Sequence, residues 1–428
     1  MNDSIIAVGA LEVYDSRGKP TVEAEVRLSG GAVGRAMVPS GASVGRHEAL
    51  ELRDGGARLR GQGVRGAVAA VREVLGPLML GRPASDQQAC DAALVAADGT
   101  PNRGHLGGNA LLAVSLAVLR AAAAALSVPL WRHVADLVGT AAVLPLPMVN
   151  IISGGRHAEG GADVQDFLFV PVGAADVRLA IEQAIEVRLA AADILRQRGA
   201  STLLADEGGF GPRLATNSEG LDLLGEALHR AGLRRATDAG IAVDVAASQL
   251  WQDGGYVLDL ERRRLDASGM GALMEEWVGG YPLVSLEDPL GEDDWEGWRR
   301  LSRRLGDRVQ LVGDDLFATQ ADRLDRGIAE GVANAILVKC NQVGTVSEAL
   351  EVVARAKRAG YRTILSARSG ETEDSWLADL AVGCGAGQIK VGATRTSERL
   401  SKYNQLLRIA EQMGPGAPYA GRGALAGK

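Results

Sequence analysis

Apolar runs that stop on a charged residue dominate the second half of the chain. Three fall between Tyr281 and Gln342: PLVSLEDP carries Glu287, VQLVGDD carries Asp314 and NAILVKCNQ carries Lys339. Near-continuous apolarity is what a parallel strand covered on both faces requires, and the crossover to the next parallel strand takes a dozen or more residues, usually helical. The separations, 27 residues from Glu287 to Asp314 and 25 from Asp314 to Lys339, suit one strand, one helix and two short loops. Upstream, GIAVDVA ends in Asp244; downstream, RTILSARS delivers Ser366, Arg368 and Ser369, and GQIKVG delivers Lys390. Six strands with polar ends predict a (β/α) barrel, whose strand C-termini ring one mouth and bring such residues together.

Three carboxylates on neighbouring strands, Asp244, Glu287 and Asp314, repel one another unless something positive sits among them. A hard divalent cation with oxygen ligands removes that repulsion, and this reading outweighs three unrelated, salt-bridged acids capping helices. The barrel starts near PMVNII and DFLFVPV, and the glycine-rich loop between them carries His157, the best functional candidate among five histidines.

The first third reads differently. Ile5–Tyr14 and Thr21–Leu28 alternate like strands about a turn at Asp15–Pro20, and a third short strand follows near Gly34–Val38. Helical periodicity then covers about 63–75, 86–97 and an alanine-rich segment through Leu126. The predicted units are an α+β domain over 1–138, a barrel over 139–411 and a Gly/Ala/Pro-rich tail over 412–428 that composition marks as disordered. The small-residue loop 39–45 lies between strands and helices.

Composition narrows the function classes. The balance of 46 basic and 53 acidic residues, net −7, with no basic cluster, argues against nucleic acid. Cys90, Cys340 and Cys384 lack paired spacing and fit a reducing compartment. No signal peptide is legible, and the apolar run 110–126, interrupted by Ser115 and Arg120, reads as a core helix rather than a membrane span. The expectation is a cytoplasmic protein.

The strings DSRGKPTVE, VPSGASVGRHEALELRD, GGRHAEGGADVQDF, ADEGGF, DVAAS, SLEDPL, VGDDL, LVKCNQVGT, ARSGETED, GQIKVG and SERLSKYNQLLRI occur in order over about 5–411 and resemble the enolase family, the phosphopyruvate hydratases. That resemblance implies an α/β fold, an enolase-type (β/α)8 barrel preceded by an α+β domain. The implied reaction is the reversible dehydration of 2-phospho-D-glycerate, a phosphorylated three-carbon acid, to phosphoenolpyruvate. It implies two Mg²⁺ per active site, held by Asp244, Glu287, Asp314 and, in the closing loop, Ser43. It implies Lys339 as the base, Glu207 as the acid on the leaving hydroxyl, and a substrate site that includes His157, Gln165, Asp166, Arg368, Ser369 and Lys390. It also implies a homodimer or an octamer.

Three positions depart from the family pattern. Val44 stands where a threonine is usual, Asp166 where the glutamate of QEF is usual, and Ala367 where the histidine of SHRSGETED is usual. The last two lie on the leaving-group side, so the sequence predicts proton abstraction intact and dehydration lagging, with partial rescue on restoring both. An enolase-derived enzyme of a phosphono substrate, such as a carboxyphosphonoenolpyruvate synthase, and a non-catalytic surface-binding role are the alternatives.

Overall fold

The computed structural model describes residues 2–42 and 45–427. The N-terminal strands β1 (Ile5–Tyr14), β2 (Pro20–Leu28) and β3 (Val33–Met37) form the predicted antiparallel meander. Val22, Ala24, Val26 and Leu28 of β2 point inward and are buried, and the sheet packs on the helix Gly108–Ala125. A Cβ at Gly34 would lie 2.1 Å from the Ala117 carbonyl oxygen, so the close seat of sheet on helix depends on that glycine. The helix is long and apolar enough to cross a membrane, but 83% of it is buried inside the protein.

The barrel closes from eight strands: β4 (Leu146–Ser153), β5 (Asp166–Val170), β6 (Gly240–Asp244), then, past the small sheet β7 (Trp251–Gln252), β8 (Gly255–Leu258) and β9 (Arg263–Leu265), β10 (Leu283–Glu287), β11 (Gln310–Gly313), β12 (Ala335–Val338), β13 (Arg362–Ser366) and β14 (Gly387–Lys390). Around the ring the order is β10-β11-β12-β13-β14-β4-β5-β6. One strand breaks the uniform (β/α) pattern, because β5 runs antiparallel to both β4 and β6. The loop 154–165 explains this: its glycine-rich sequence offers no apolar helical face to cover the barrel, so the chain turns straight back. An antiparallel strand presents its first residue at the mouth, which puts Asp166 in register with Asp244 and Ser153. The chain then returns through two helices, Val177–Gln197 and Ser218–Arg230, and the loop between them carries Glu207.

The tail departs from the sequence expectation of disorder. It pairs with the barrel at Leu144–Tyr419, forms a 3-10 turn at Gly421–Ala424, and buries Ala424 and Leu425 among the barrel-interior residues Leu146, Val170 and Ile364. Gln388 Nε2 donates to the Ala424 carbonyl at 2.9 Å. Composition missed this because two apolar anchors, Tyr419 and Leu425, hold a segment otherwise rich in glycine and alanine. Leu425→Ala is expected to lower stability by ~2 kcal/mol, the low end for a buried leucine. Urea unfolding reads this directly, and an unchanged midpoint would mean the tail does not seal the barrel.

Candidate active site

The parallel barrel strands from β6 onward end where the barrel opens, and a polar residue at or just past each end faces the mouth. Asp244, Glu287 and Lys390 are the last residues of β6, β10 and β14; Asp314 and Lys339 directly follow β11 and β12; Ser366 ends β13, with Ala367, Arg368 and Ser369 after it. Lys390 Nζ bridges two of the acids, 2.7 Å from Asp244 Oδ2 and 2.8 Å from both Glu287 oxygens. Lys339 Nζ lies 2.5 Å from Asp314 Oδ2. All five side chains are largely buried.

Burial at this density shifts their titration. Burial and the Asp244 charge push Glu287 well above the usual carboxylate range. Burial also acts to raise Asp244, but Lys390 outweighs it and holds Asp244 low. For Lys339, burial disfavours the ammonium and Asp314 more than offsets that, leaving the lysine above its ordinary value. Asp288, not singled out from sequence, accepts from the Asp314 and Asp315 amides at 3.0 and 2.7 Å, and so shapes the turn that points Asp314 at the mouth.

His157, Asp166 and Glu207 form a separate cluster. His157 Nδ1 lies 2.9 Å from Asp166 Oδ2, and its Nε2 is 3.9 Å from Glu207 Oε1. Burial opposes the imidazolium, but the Asp166 and Glu207 charges outweigh it and lift His157 to about 9. Burial pushes Asp166 upward as well. Asn150 and Ser153 both donate to it, and donors of that kind favour the carboxylate, so we read the pair as imidazolium and carboxylate. Glu207 is also held ionised: burial acts against this, and His157, Arg399 and Lys390 prevail.

Arg368 Nη1 meets Glu48 Oε2 at 2.9 Å, both side chains buried, and Ser369 Oγ accepts from the Ala42 amide at 2.7 Å and Arg17 Nη1 at 3.2 Å. Glu48 and Arg17 were not singled out from sequence, although both sit in the quoted strings. Gln165 Nε2 donates to Asp244 Oδ2 at 3.1 Å. One cavity of about 30 Å³ is lined by His157, Gln165, Glu207, Asp244, Asp314, Lys339, Ala367, Arg368, Ser369 and Lys390. Glu287 and Asp166 lie behind that wall, and Ser43 lies outside the described residues.

The chain matches two family descriptions, "Enolase, N-terminal domain" over residues 5–134 and "Enolase, C-terminal TIM barrel domain" over 141–427. It is 52% identical over 417 residues to the enolase of Acidothermus cellulolyticus, covering 97% of this chain and 96% of that protein. The chain belongs to the enolase family. Of the positions that depart from the enolase pattern, Ala367 lines the cavity, while Asp166 is fully buried and turned toward Asn150, Ser153 and His157.

The enolase-type acids fit a hard cation in chemistry. Two lysines face three carboxylates, and burial together with the Asp244 charge raises Glu287. Among the described residues, the groups whose ligand atoms close within 4.8 Å are Asp288, Asp314 and Asp315, and His157, Asp166 and Glu207. Asp288 is committed to backbone amides through both its oxygens, and Asp314 of the first group is engaged by Lys339.

Proposed function

We propose that this chain catalyses the reversible, Mg²⁺-dependent dehydration of 2-phospho-D-glycerate to phosphoenolpyruvate, a hydro-lyase step of glycolysis and gluconeogenesis in the cytoplasm. The observation that carries this reading is a single cavity faced by two buried lysines, an acid on a separate loop, and an arginine–serine pair. Lys339 takes the proton from C2, the carbon beside the substrate carboxylate. Lys390 opposes that carboxylate as it gains charge in the enolate. Glu207 passes a proton to the departing 3-hydroxyl, and Arg368 with Ser369 receives the phosphate, a fork and a hydroxyl suited to its oxygens.

Asp244, Glu287 and Asp314 would hold one Mg²⁺, and Ser43 with the substrate phosphate a second. Bound there, Mg²⁺ would supply positive charge opposite the substrate carboxylate, and Asp314, engaged as a ligand, would no longer hold Lys339 as its partner. The cavity holds little more than water, so substrate must displace the Arg368–Glu48 and lysine–carboxylate contacts as it binds. No observation among the described residues favours a phosphono substrate or a non-catalytic role.

The test is turnover of 2-phosphoglycerate with Mg²⁺, followed by enolpyruvate absorbance. Folded protein that binds Mg²⁺ and substrate but makes no phosphoenolpyruvate would overturn the reading. Calorimetric titration of Asp244→Asn, Glu287→Gln and Asp314→Asn should show Mg²⁺ affinity weakened ~10-fold or more in each, because each loses one ligand charge. Unchanged affinity in all three would remove the metal assignment. Assembly as a homodimer or octamer belongs to the same proposal and is supported by the exposed Ile6, Leu11 and Tyr14 along β1. Sedimentation showing only monomer at micromolar concentration would count against it.

A further inference from the structure

Asp166 has no part of its carboxylate left for a substrate. Its Oδ1 accepts from Asn150 Nδ2 at 2.5 Å and Ser153 Oγ at 2.8 Å, its Oδ2 faces His157 Nδ1 at 2.9 Å, and its exposure is 0%. The wall around it is tight: a Cβ on Gly209 would stand 2.6 Å from Ser153 Oγ and 2.7 Å from Asn150 Oδ1. His157 and Glu207 line the cavity, whereas Asp166 does not.

A carboxylate held by donors can only accept, so the proton between Asp166 and His157 belongs to Nδ1. That fixes the tautomer and leaves Nε2 as the nitrogen that gains and loses a proton. Nε2 points at Glu207, 3.9 Å away, a gap of the kind that closes when a substrate fills the site. In the proposed reaction Glu207 gives a proton to the leaving hydroxyl, and each turnover must replace it. It needs a proton source behind it.

We propose that Asp166 is a positioning residue that acts only through His157, aiming Nε2 so that His157 and Glu207 work as one proton-delivering unit. The proposal rests on the reaction given above. In the forward direction the Nε2 proton passes to the Glu207 carboxylate, and Glu207 passes a proton to O3. The C3–O3 bonding pair leaves with the oxygen as water, and the pair left at C2 by proton abstraction becomes the C2=C3 bond. Neutral His157 then regains a proton from solvent. Asp166 is on this view not a shortened substrate carboxylate, and restoring glutamate there displaces the imidazole rather than repairing the site.

A double-mutant cycle tests this in the full chain. Asp166→Asn should slow phosphoenolpyruvate formation by about 10²-fold, the low end for a placed acid. Exchange of the C2 proton with solvent should stay within ~3-fold of wild type, because Lys339 serves it. In a His157→Ala background the same Asp166→Asn change should cost less than ~2-fold. Asp166→Glu should lower dehydration, since a shift of about 1 Å is enough to spoil proton transfer geometry. Equal losses in both backgrounds, exchange and dehydration falling together, or a gain with Asp166→Glu would each overturn the inference. Nitrogen NMR of labelled histidine, with His157 assigned by its loss in His157→Ala, reads the same arrangement without turnover. Proton on Nδ1 supports the inference and a neutral ring protonated on Nε2 overturns it, even if wild type proves inert toward 2-phosphoglycerate and the proposed reaction itself fails.

Discussion

Lys339→Met should abolish exchange of the C2 proton of 2-phosphoglycerate and reduce turnover by ~10⁴-fold, the upper range for a positioned base. Methionine keeps the length and packing of the buried stem while removing the nitrogen, so the loss reads chemistry rather than fold. The same change frees the Asp314 carboxylate, which Lys339 engages at 2.5 Å. Mg²⁺ should therefore bind the variant at least as tightly as wild type. Stopped exchange with retained Mg²⁺ binding is the expected result by deuterium exchange and calorimetry. Exchange that continues in the variant would place the base elsewhere.

The second large effect concerns stability as much as rate. Lys390 is the shared partner of Asp244 and Glu287, and all three side chains are almost fully buried. Lys390→Met leaves two buried carboxylates without their cation, a loss of about 3–5 kcal/mol for a broken buried pair. Mg²⁺ can occupy the vacated charge, so thermal melts should show the variant strongly destabilised in chelator and largely restored by Mg²⁺. Turnover should remain ~10²–10³-fold down with Mg²⁺ present, because the enolate loses a fixed positive charge that the lysine would hold against it. A melt insensitive to Mg²⁺ would separate these acids from any metal.

The strand ends were legible because a charged residue that interrupts an apolar run has few places to go in a barrel. Asp244, Glu287, Asp314, Lys339 and Lys390 meet at one mouth for that reason. The direction of β5 was not legible from DFLFVPV, since a short apolar strand reads the same both ways. The signal lay in the preceding loop, which lacks any helical periodicity and so cannot make a parallel crossover. The ordered tail was hidden by its composition, where two anchoring side chains count for little against many glycines.

Side-chain direction was the other limit. The string VQDF locates Asp166 at the mouth but cannot say that it faces away from the cavity, into a pocket made by Asn150 and Ser153. A buried asparagine in the apolar run PMVNII was the available hint, since such a group needs a partner. The pairing of Arg368 with Glu48 joins residues 320 positions apart and leaves no local trace.

The central claim is that this mouth removes the C2 proton and then expels the 3-hydroxyl, and proton NMR of 2-phosphoglycerate in deuterated buffer tests it most directly. With wild-type protein and Mg²⁺, the C2 proton signal should disappear and the vinyl signals of phosphoenolpyruvate should grow. Both changes should cease with chelator and in Lys339→Met. Wild-type protein that binds Mg²⁺ and 2-phosphoglycerate yet leaves the C2 proton in place, or changes that persist in Lys339→Met, would contradict the account.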